Sequence, residues 1–262
     1  MHEIDRLAQL VVECKKVVVF TGAGVSTESG IPDFRSPGGI WSRYDPENFT
    51  IQNFLSSPAA RREIWKMSAE GGLLTEAEPN AAHYAIAELY RLGKLDCVIT
   101  QNIDNLHQKA GVPGDRVFEL HGNAMWAVCL NCHRRYPMPE VLKMIKEGVE
   151  VPDCPECQGI LKPDAVFFGE ALPQATLQEA IRRARKCDLL IVIGSTLVVY
   201  PAAYVPMYAV EAGAKLAIVN LTATPLDAYA AVVIRGKAGE TMSRVMEKVR
   251  GPQLPELDRP NG

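Results

Sequence analysis

Four cysteines stand in two close pairs, Cys129-Leu-Asn-Cys132 and, 21 residues further on, Cys154-Pro-Glu-Cys157. Thiolates paired on short turns can close a tetrahedron of sulfur about zinc, and this spacing is near that of zinc ribbons. Reduced thiols or a redox couple would explain a single pair. Two pairs flanking a stretch with no evident core of its own favour zinc. A four-sulfur shell leaves no open coordination position, so the expected metal is structural.

A second set of residues lies where apolar runs end. The run beginning at Val17 leads into Thr21-Gly-Ala-Gly24 and opens like a dinucleotide-binding turn, yet Thr27 occupies the place of the third glycine in G-x-G-x-x-G. No second strand ending in an acidic residue follows about 20 residues later, where a ribose-binding carboxylate would sit. Residues 36–50 read as loop instead. Thr100-Gln-Asn-Ile-Asp-Asn-Leu-His107 follows another apolar run. Gln101, Asn102 and Asp104 offer amide and carboxylate groups suited to a carboxamide or a ribose, whereas a helix N-cap would account for only one of them. Glu119-Leu-His121-Gly122 ends a third run, with a histidine able to act as general base near neutral pH and a glycine that lets a ligand approach. Gly194-Ser-Thr196 and Asn220 repeat the theme with small hydroxyl and amide groups, suited to phosphate and ribose. His83, within a helix, His107, on a helix face, and His133, among the cysteines, read as structural.

Elements that could hold these groups in a row are strands 17–21, 97–101, 117–121, 165–169, 189–194 and 216–220, separated by helices near 80–92, 103–110, 173–186, 200–212 and 239–249. Apolar strands alternating with helices predict an α/β domain, a Rossmann-like parallel sheet covered on both faces, with ligands beyond the carboxyl ends of its strands. The expected organisation is a nucleotide-binding domain from 1–35, 79–121 and 164–250, a cofactor-binding loop and helical insertion at 36–78, a zinc-binding module of little regular pattern at 122–163, and a disordered proline-rich tail at 251–262. The chain has 262 residues, 47% apolar and 23% charged, with a net charge of −3. That balance fits a globular enzyme and carries no electrostatic footprint for nucleic acid or anionic membrane. The first residues lack the basic flank and apolar run of a signal peptide, and the longest apolar region, 189–206, is broken by Gly194, Ser195, Thr196 and Pro201. A cytoplasmic protein is expected.

In this order, the motifs resemble those of the sirtuin family of NAD-dependent protein lysine deacylases. The resemblance rests on Gly22-Ala-Gly24-Val-Ser26, Gly30-Ile-Pro-Asp-Phe-Arg35, residues 100–104, 119–122, 166–170, 194–196 and 219–220, and the four cysteines; it spans roughly residues 4–248. It implies that NAD is consumed: the carbonyl oxygen of an acylated lysine attacks the nicotinamide ribose, nicotinamide leaves, and His121 as base activates a ribose hydroxyl that attacks the imidate. The products are free lysine, nicotinamide, which is also an inhibitor, and O-acyl-ADP-ribose. By the same resemblance Ala23, Thr27 and Arg35 contact the cofactor and Phe34 shields the reacting ribose. Gln101 and Asn102 lie on the ribose side, Ile103 and Asp104 hold the nicotinamide carboxamide, and Ser195, Thr196, Asn220 and Ala238 meet the adenosine end. Val166, Phe168 and Gly169 resemble the strand that pairs with the substrate backbone.

The chain departs from the family pattern at Ser36, where glycine is commoner, and in the order Gly-Ser-Thr at 194–196. Members acting on acidic acyl chains carry a Tyr-x-x-Arg pair that residues 61–70 lack, so acetyl or another neutral acyl group is favoured. Rival readings are an ADP-ribosyltransferase on the same scaffold and a non-catalytic NAD-binding or zinc-ribbon interaction module. An ordinary NAD dehydrogenase is weakest, lacking the glycine fingerprint and the ribose acid.

Overall fold

The computed structural model describes residues 2–34, 38–42, 44–70 and 77–251. In chain order its regular elements are α1 (Glu3–Glu13), β1 (Val17–Thr21), α2 (Ile51–Ser56), α3 (Pro58–Ala69), α4 (Ala81–Arg91), β2 (Leu95–Thr100), α5 (Leu106–Lys109), β3 (Val117–Glu119), β4 (Gly122–Cys129), β5 (Arg135–Pro137), α6 (Met138–Lys146), β6 (Leu161–Ala165), α7 (Gln174–Ala184), β7 (Leu189–Ile193), α8 (Val205–Glu211), β8 (Lys215–Val219), β9 (Val232–Ile234) and α9 (Ala238–Arg250).

Six strands form one parallel sheet in the order β3-β2-β1-β7-β8-β9. Its two innermost strands, β1 and β7, are buried along their whole length and apolar apart from the closing Thr21, because both faces are covered. Val17 and Val19 of β1 point into a core shared with α1, α4 and α9, while Val18 and Phe20 point into a second core with α7 and α8. Strand order reverses between β1 and β7, and the crevice beyond that point is where ligands bind in open α/β sheets. Asn80 caps α4 as its residue type predicts: its side chain accepts from the Ala82 N–H at 2.9 Å, and His83 Nδ1 accepts in return from the Asn80 N–H.

The second sheet is small and antiparallel, in the order β5-β4-β6. Residues 122–163 are therefore more regular than their sequence suggests, and they have a core: Ala127, Cys129, Met138, Val141, Cys154 and Leu161 pack with the fully buried Trp65 of α3. An indole sealed from water at a shared core typically contributes about 3–5 kcal/mol, so the helical insertion and the cysteine segment hold each other.

The strand expected at 165–169 is not part of the parallel sheet. Pairing with β4 uses residues 161–165, and the chain then turns, with Gly169 at φ +84° and Glu170 N–H bonded to the Phe167 carbonyl. The helix expected at 103–110 shortens to α5, because the Asp104 carboxylate takes the Leu106 N–H and starts the helix there. The 200–212 helix resolves into a 3-10 turn over Ala202–Tyr204 followed by α8, with Pro206 in its first turn. Strand β9, three residues long, has no counterpart in the expected elements. The tail from residue 252 lies outside the described residues.

Candidate active site

Two loops meet at the reversal point with little space between them. The Gly24 N–H donates to the Gly194 carbonyl at 2.9 Å, and Gly22 N–H to that of Ile193. Gly194 has φ +64°, and a Cβ there would lie 2.2 Å from the Val25 nitrogen. These glycines let the β1 and β7 loops touch, which explains glycines at 22 and 24 without a third at 27. The β1 loop is also tied from outside. Asn80 Nδ2 donates to the Val25 carbonyl and Ser29 Oγ, and the Glu28 carboxylate accepts from the Gly239 N–H at the start of α9 at 2.6 Å.

Beside this junction the polar groups converge. Gln101 Nε2 donates to Ser195 Oγ at 2.8 Å, joining the ends of β2 and β7. Ser26 Oγ donates to Asp104 Oδ2 at 2.7 Å, and Asn102 Nδ2 reaches both Ser26 Oγ and that carboxylate. Asp104 is buried, so these bonds and the Leu106 N–H compensate the desolvation of its carboxylate. Below lie Thr21, Thr100, His83 and His107, all buried. Thr21 Oγ1 donates to Thr100 Oγ1 at 2.8 Å and contacts His107 Nε2 at 2.9 Å. Burial pushes the His83 pKa down to about 4 against the opposing pull of Asp104, and takes that of His107 well below its ordinary value. Both histidines are neutral packing groups at pH 7, in keeping with their structural reading.

His121 follows β3. Its Nδ1 lies 2.8 Å from the Gln101 carbonyl oxygen, a bond it can make only as a donor, so neutral His121 carries its lone pair on Nε2. Burial lowers its pKa, with the Gln101 bond opposing, so the ring is neutral near pH 7. The His121 carbonyl accepts from the Val166 N–H at 2.9 Å. Gly122 has φ +79°, and a Cβ there would meet the Asp164 carbonyl oxygen at 2.2 Å, so only glycine lets the chain leave His121 for β4 on this path.

The other nominated residues lie along the same row of strand ends. Ala23 opens the 3-10 turn after β1, and Thr27 Oγ1 donates to the Gly24 carbonyl. Asn220, nearly buried after β8, donates to Thr222, while Ala238 begins α9. Thr196 is exposed beside buried Ser195, and Phe34 and Ile103 are half-buried. Arg35 lies outside the described residues. Phe168 differs from the expectation of a strand edge open to a peptide: its N–H donates to the Phe49 carbonyl and its carbonyl accepts from the Ile51 N–H, both at 2.9 Å. Its main chain thus ties the 166–170 turn to the insertion, and its exposed ring is what it presents. Sequence reasoning missed Ser26, Thr21 and Thr100 as parts of the site. Thr21 and Thr100 carry the same signal as Gln101, a polar residue closing an apolar strand.

The four cysteine sulfurs lie within 4.8 Å of one another, with Cys129 and Cys157 at 3.5 Å and Cys132 and Cys154 at 3.7 Å. Zinc–sulfur bonds of about 2.3 Å at the corners of a tetrahedron put sulfurs roughly 3.8 Å apart, so the set fits zinc. Asn131 and Cys132 N–H groups point at Cys129 Sγ, and the Tyr136 hydroxyl lies 3.1 Å from Cys154 Sγ. Strand β4 runs from Gly122, next to His121, to the ligand Cys129. Eight extended residues rise on the order of 20 Å, which keeps the metal away from the His121 ring. In the helical insertion Arg61 Nη1 donates to the Phe54 and Leu55 carbonyls while its buried Nε has no partner, and Arg62 pairs with Glu150 at 2.8 Å.

The sequence model of the Sir2 family matches residues 22–201. NAD-dependent protein deacetylase 1 of Pyrobaculum aerophilum is 47% identical over 250 residues, covering 95% of this chain and 96% of that protein. NAD-dependent protein deacylase 2 of Archaeoglobus fulgidus is 49% identical over 250 residues, with coverage of 95% and 96%. A solved histidine-to-alanine variant of Sir2, with a deacetylated p53 peptide and 3'-O-acetyl ADP ribose, superposes with a TM-score of 0.85 at 43% identity, over 94% of this chain and 98% of that one. A match this long, on a sheet whose strand ends converge around His121, places the chain in the Sir2 family.

Proposed function

We propose that this chain is an NAD-dependent protein lysine deacylase that prefers acetyl or another neutral acyl group and yields free lysine, nicotinamide and O-acyl-ADP-ribose. The observation that carries the reading is the state of His121, neutral and held through Nδ1 by the Gln101 carbonyl with Nε2 available, beside the strand end that carries the amide and carboxylate groups of Gln101, Asn102 and Asp104. Bound NAD supplies the glycosidic bond to nicotinamide, whose loss drives the reaction. Ala23, Thr27 and Phe34 contact it from the β1 loop, with Arg35 assigned to the same group by the family resemblance alone, and Gln101, Asn102, Ile103 and Asp104 hold its ribose and carboxamide. Ser195, Thr196, Asn220 and Ala238 hold the adenosine end. His121 Nε2 takes the ribose hydroxyl proton, and the Gln101 carbonyl stabilises the imidazolium that results, since Nδ1 keeps its donor bond in both states.

The substrate is the acylated lysine of a protein, received beside Val166, Phe168 and Gly169. The large lobe, 1–35, 79–121 and 164–250, binds NAD together with the cofactor-binding loop of 36–78; the helical insertion in 36–78 and the module at 122–163, with zinc on Cys129, Cys132, Cys154 and Cys157, frame the peptide side. Nicotinamide is both product and inhibitor, and no nucleic acid takes part. Among the described residues no helix is long and apolar enough to cross a membrane, and the reduced cysteine pairs suit the cytoplasm. Incubation with NAD and a matched pair of peptides, acetylated and unmodified, tests the reading by mass spectrometry. Nicotinamide release that requires the acetyl-lysine and yields O-acetyl-ADP-ribose supports it. Release independent of acylation, with ADP-ribose attached to protein, would establish the ADP-ribosyltransferase instead.

A further inference from the structure

Lys162 lies in β6, where its side chain is 4% exposed, yet it belongs neither to the proposed catalytic groups nor to the metal ligands. All of its polar partners lie on the next eight residues. Its ammonium donates to the Pro163 carbonyl at 3.1 Å and the Ala165 carbonyl at 2.5 Å, and pairs with Glu170 Oε2 at 3.1 Å. Three acceptors match the three N–H donors of an ammonium. The same Glu170 oxygen accepts from the Phe167 N–H at 2.6 Å, and the ammonium sits 4.4 Å from the centre of the Phe167 ring. Phe167 is buried edge-on against Phe54, at 5.2 Å. Burial pulls the Lys162 pKa down and the Glu170 charge opposes it, which is the behaviour of a desolvated ion pair.

This clip bends residues 163–170 into a closed turn, and the turn reaches two parts of the site. On one side the Val166 N–H holds the His121 carbonyl; on the other Phe168 is bonded to Phe49 and Ile51. We propose that Lys162 is a positioning residue for the protein substrate: with Glu170 it sets the shape of the 166–169 segment that receives the acyl-lysine peptide and fixes its offset from His121. The inference rests on the deacylase reading. It separates peptide recognition from NAD binding, because the partners of Lys162, at Pro163, Ala165, Phe167 and Glu170, lie on neither the β1, β2, β7 and β8 loops nor α9, which carry the nominated NAD contacts.

Lys162→Met keeps the length of the side chain and removes all three donors, leaving two carbonyls and one carboxylate without their partner. Losing a charge-assisted set of this kind is expected to raise KM for an acetyl-lysine peptide at least about tenfold, with KM for NAD within about twofold of wild type. Glu170→Gln retains an acceptor for the Phe167 N–H while removing the charge, and is expected to give a smaller rise of about three- to tenfold in the same parameter. In the double variant the effect stays within about twofold of Lys162→Met alone, as for two members of one unit. Binding of a fluorescein-labelled acetyl-lysine peptide, followed by anisotropy, reports the same order without turnover. If Lys162→Met does not fold, Glu170→Gln decides. Peptide KM unchanged in a folded variant, equal rises in KM for peptide and NAD, or additive effects in the double variant each overturn the proposal. A wild-type protein without acyl-dependent nicotinamide release overturns the deacylase reading itself, and this inference with it.

Discussion

The two lobes solve the same problem, bringing side chains together, by opposite means. In the large lobe the partners are remote in sequence: Ser26 and Asp104 are 78 residues apart, Gln101 and Ser195 are 94. Only a wide sheet with two buried faces can align such distant groups, and its central strands β1 and β7 are fully buried along their whole length. In the small lobe all four thiols come from one stretch, Cys129 and Cys157 being 28 residues apart, on a three-stranded sheet whose core needs Trp65 from another segment. A core that small is a weak source of stability, and a metal offsets the shortfall. Chemistry is therefore placed where position is over-determined by packing, and metal where it is not.

Removing zinc tests that contrast hardest. Structural zinc in finger peptides contributes about 10–16 kcal/mol at pH 7, so Cys154→Ser should lose the metal, lower the melting temperature and abolish most activity together, as metal analysis, calorimetry and peptide turnover would show. Metal-free protein that kept its fold and rate would mean that the small core suffices, and the contrast between the lobes would fail.

A substitution in the large lobe should act on chemistry more than on folding. Asp104→Asn keeps the shape but turns a charged acceptor into an amide, weakening bonds worth about 1.5–3 kcal/mol each. Turnover should fall roughly 10–100-fold by the corresponding transition-state arithmetic, and inhibition by added nicotinamide should weaken. Unchanged nicotinamide inhibition would place the carboxamide pocket elsewhere.

Acyl choice comes next. Arg61 Nη1 is engaged with the Phe54 and Leu55 carbonyls and Arg62 pairs with Glu150, so both guanidinium groups are already drawn toward partners within this chain. An unpaired buried carboxylate is costly, and kcat/KM for an acetyl-lysine peptide should exceed that for the matched succinyl peptide by at least about tenfold, or about 1.4 kcal/mol. Equal or faster succinyl turnover would show that another basic group lines the acyl pocket.

The smallest effect expected is in the pH profile. Burial lowers the His121 pKa, so the base stays unprotonated as pH falls to the ordinary imidazole value and the acid limb of kcat/KM lies below pH ~6.5. A limb above that value would point to a different group.

How much of this was legible depended on whether a signal was local. The runs 17–21 and 189–193 announce buried strands because they are apolar almost to the last residue, and Asn80 announces a helix start by its type. The cysteine pairs announce a metal site by their number and spacing, and the four sulfurs do gather. Features set by tertiary pairing stayed hidden. Residues 122–163 looked irregular because β4 carries a register shift between Gly122 and Ala127 and borrows Trp65 for its core. The apolar run 165–169 has strand composition, but β6 stops at Ala165 and the Lys162–Glu170 clip bends the chain beyond it. Ser26 belongs to the site through its bond to Asp104, 78 residues away, and nothing within its own stretch of sequence signals that neighbour.

The role of His121 is most directly tested by following two products in one variant. In His121→Ala the amide, hydroxyl and carboxylate groups of the NAD site remain, so exchange of labelled nicotinamide into NAD in the presence of acetyl-lysine peptide should persist. Formation of O-acetyl-ADP-ribose, which needs the base, should fall by roughly 10²–10⁴-fold. Near-normal product formation by the variant would contradict the assignment of His121 as the base.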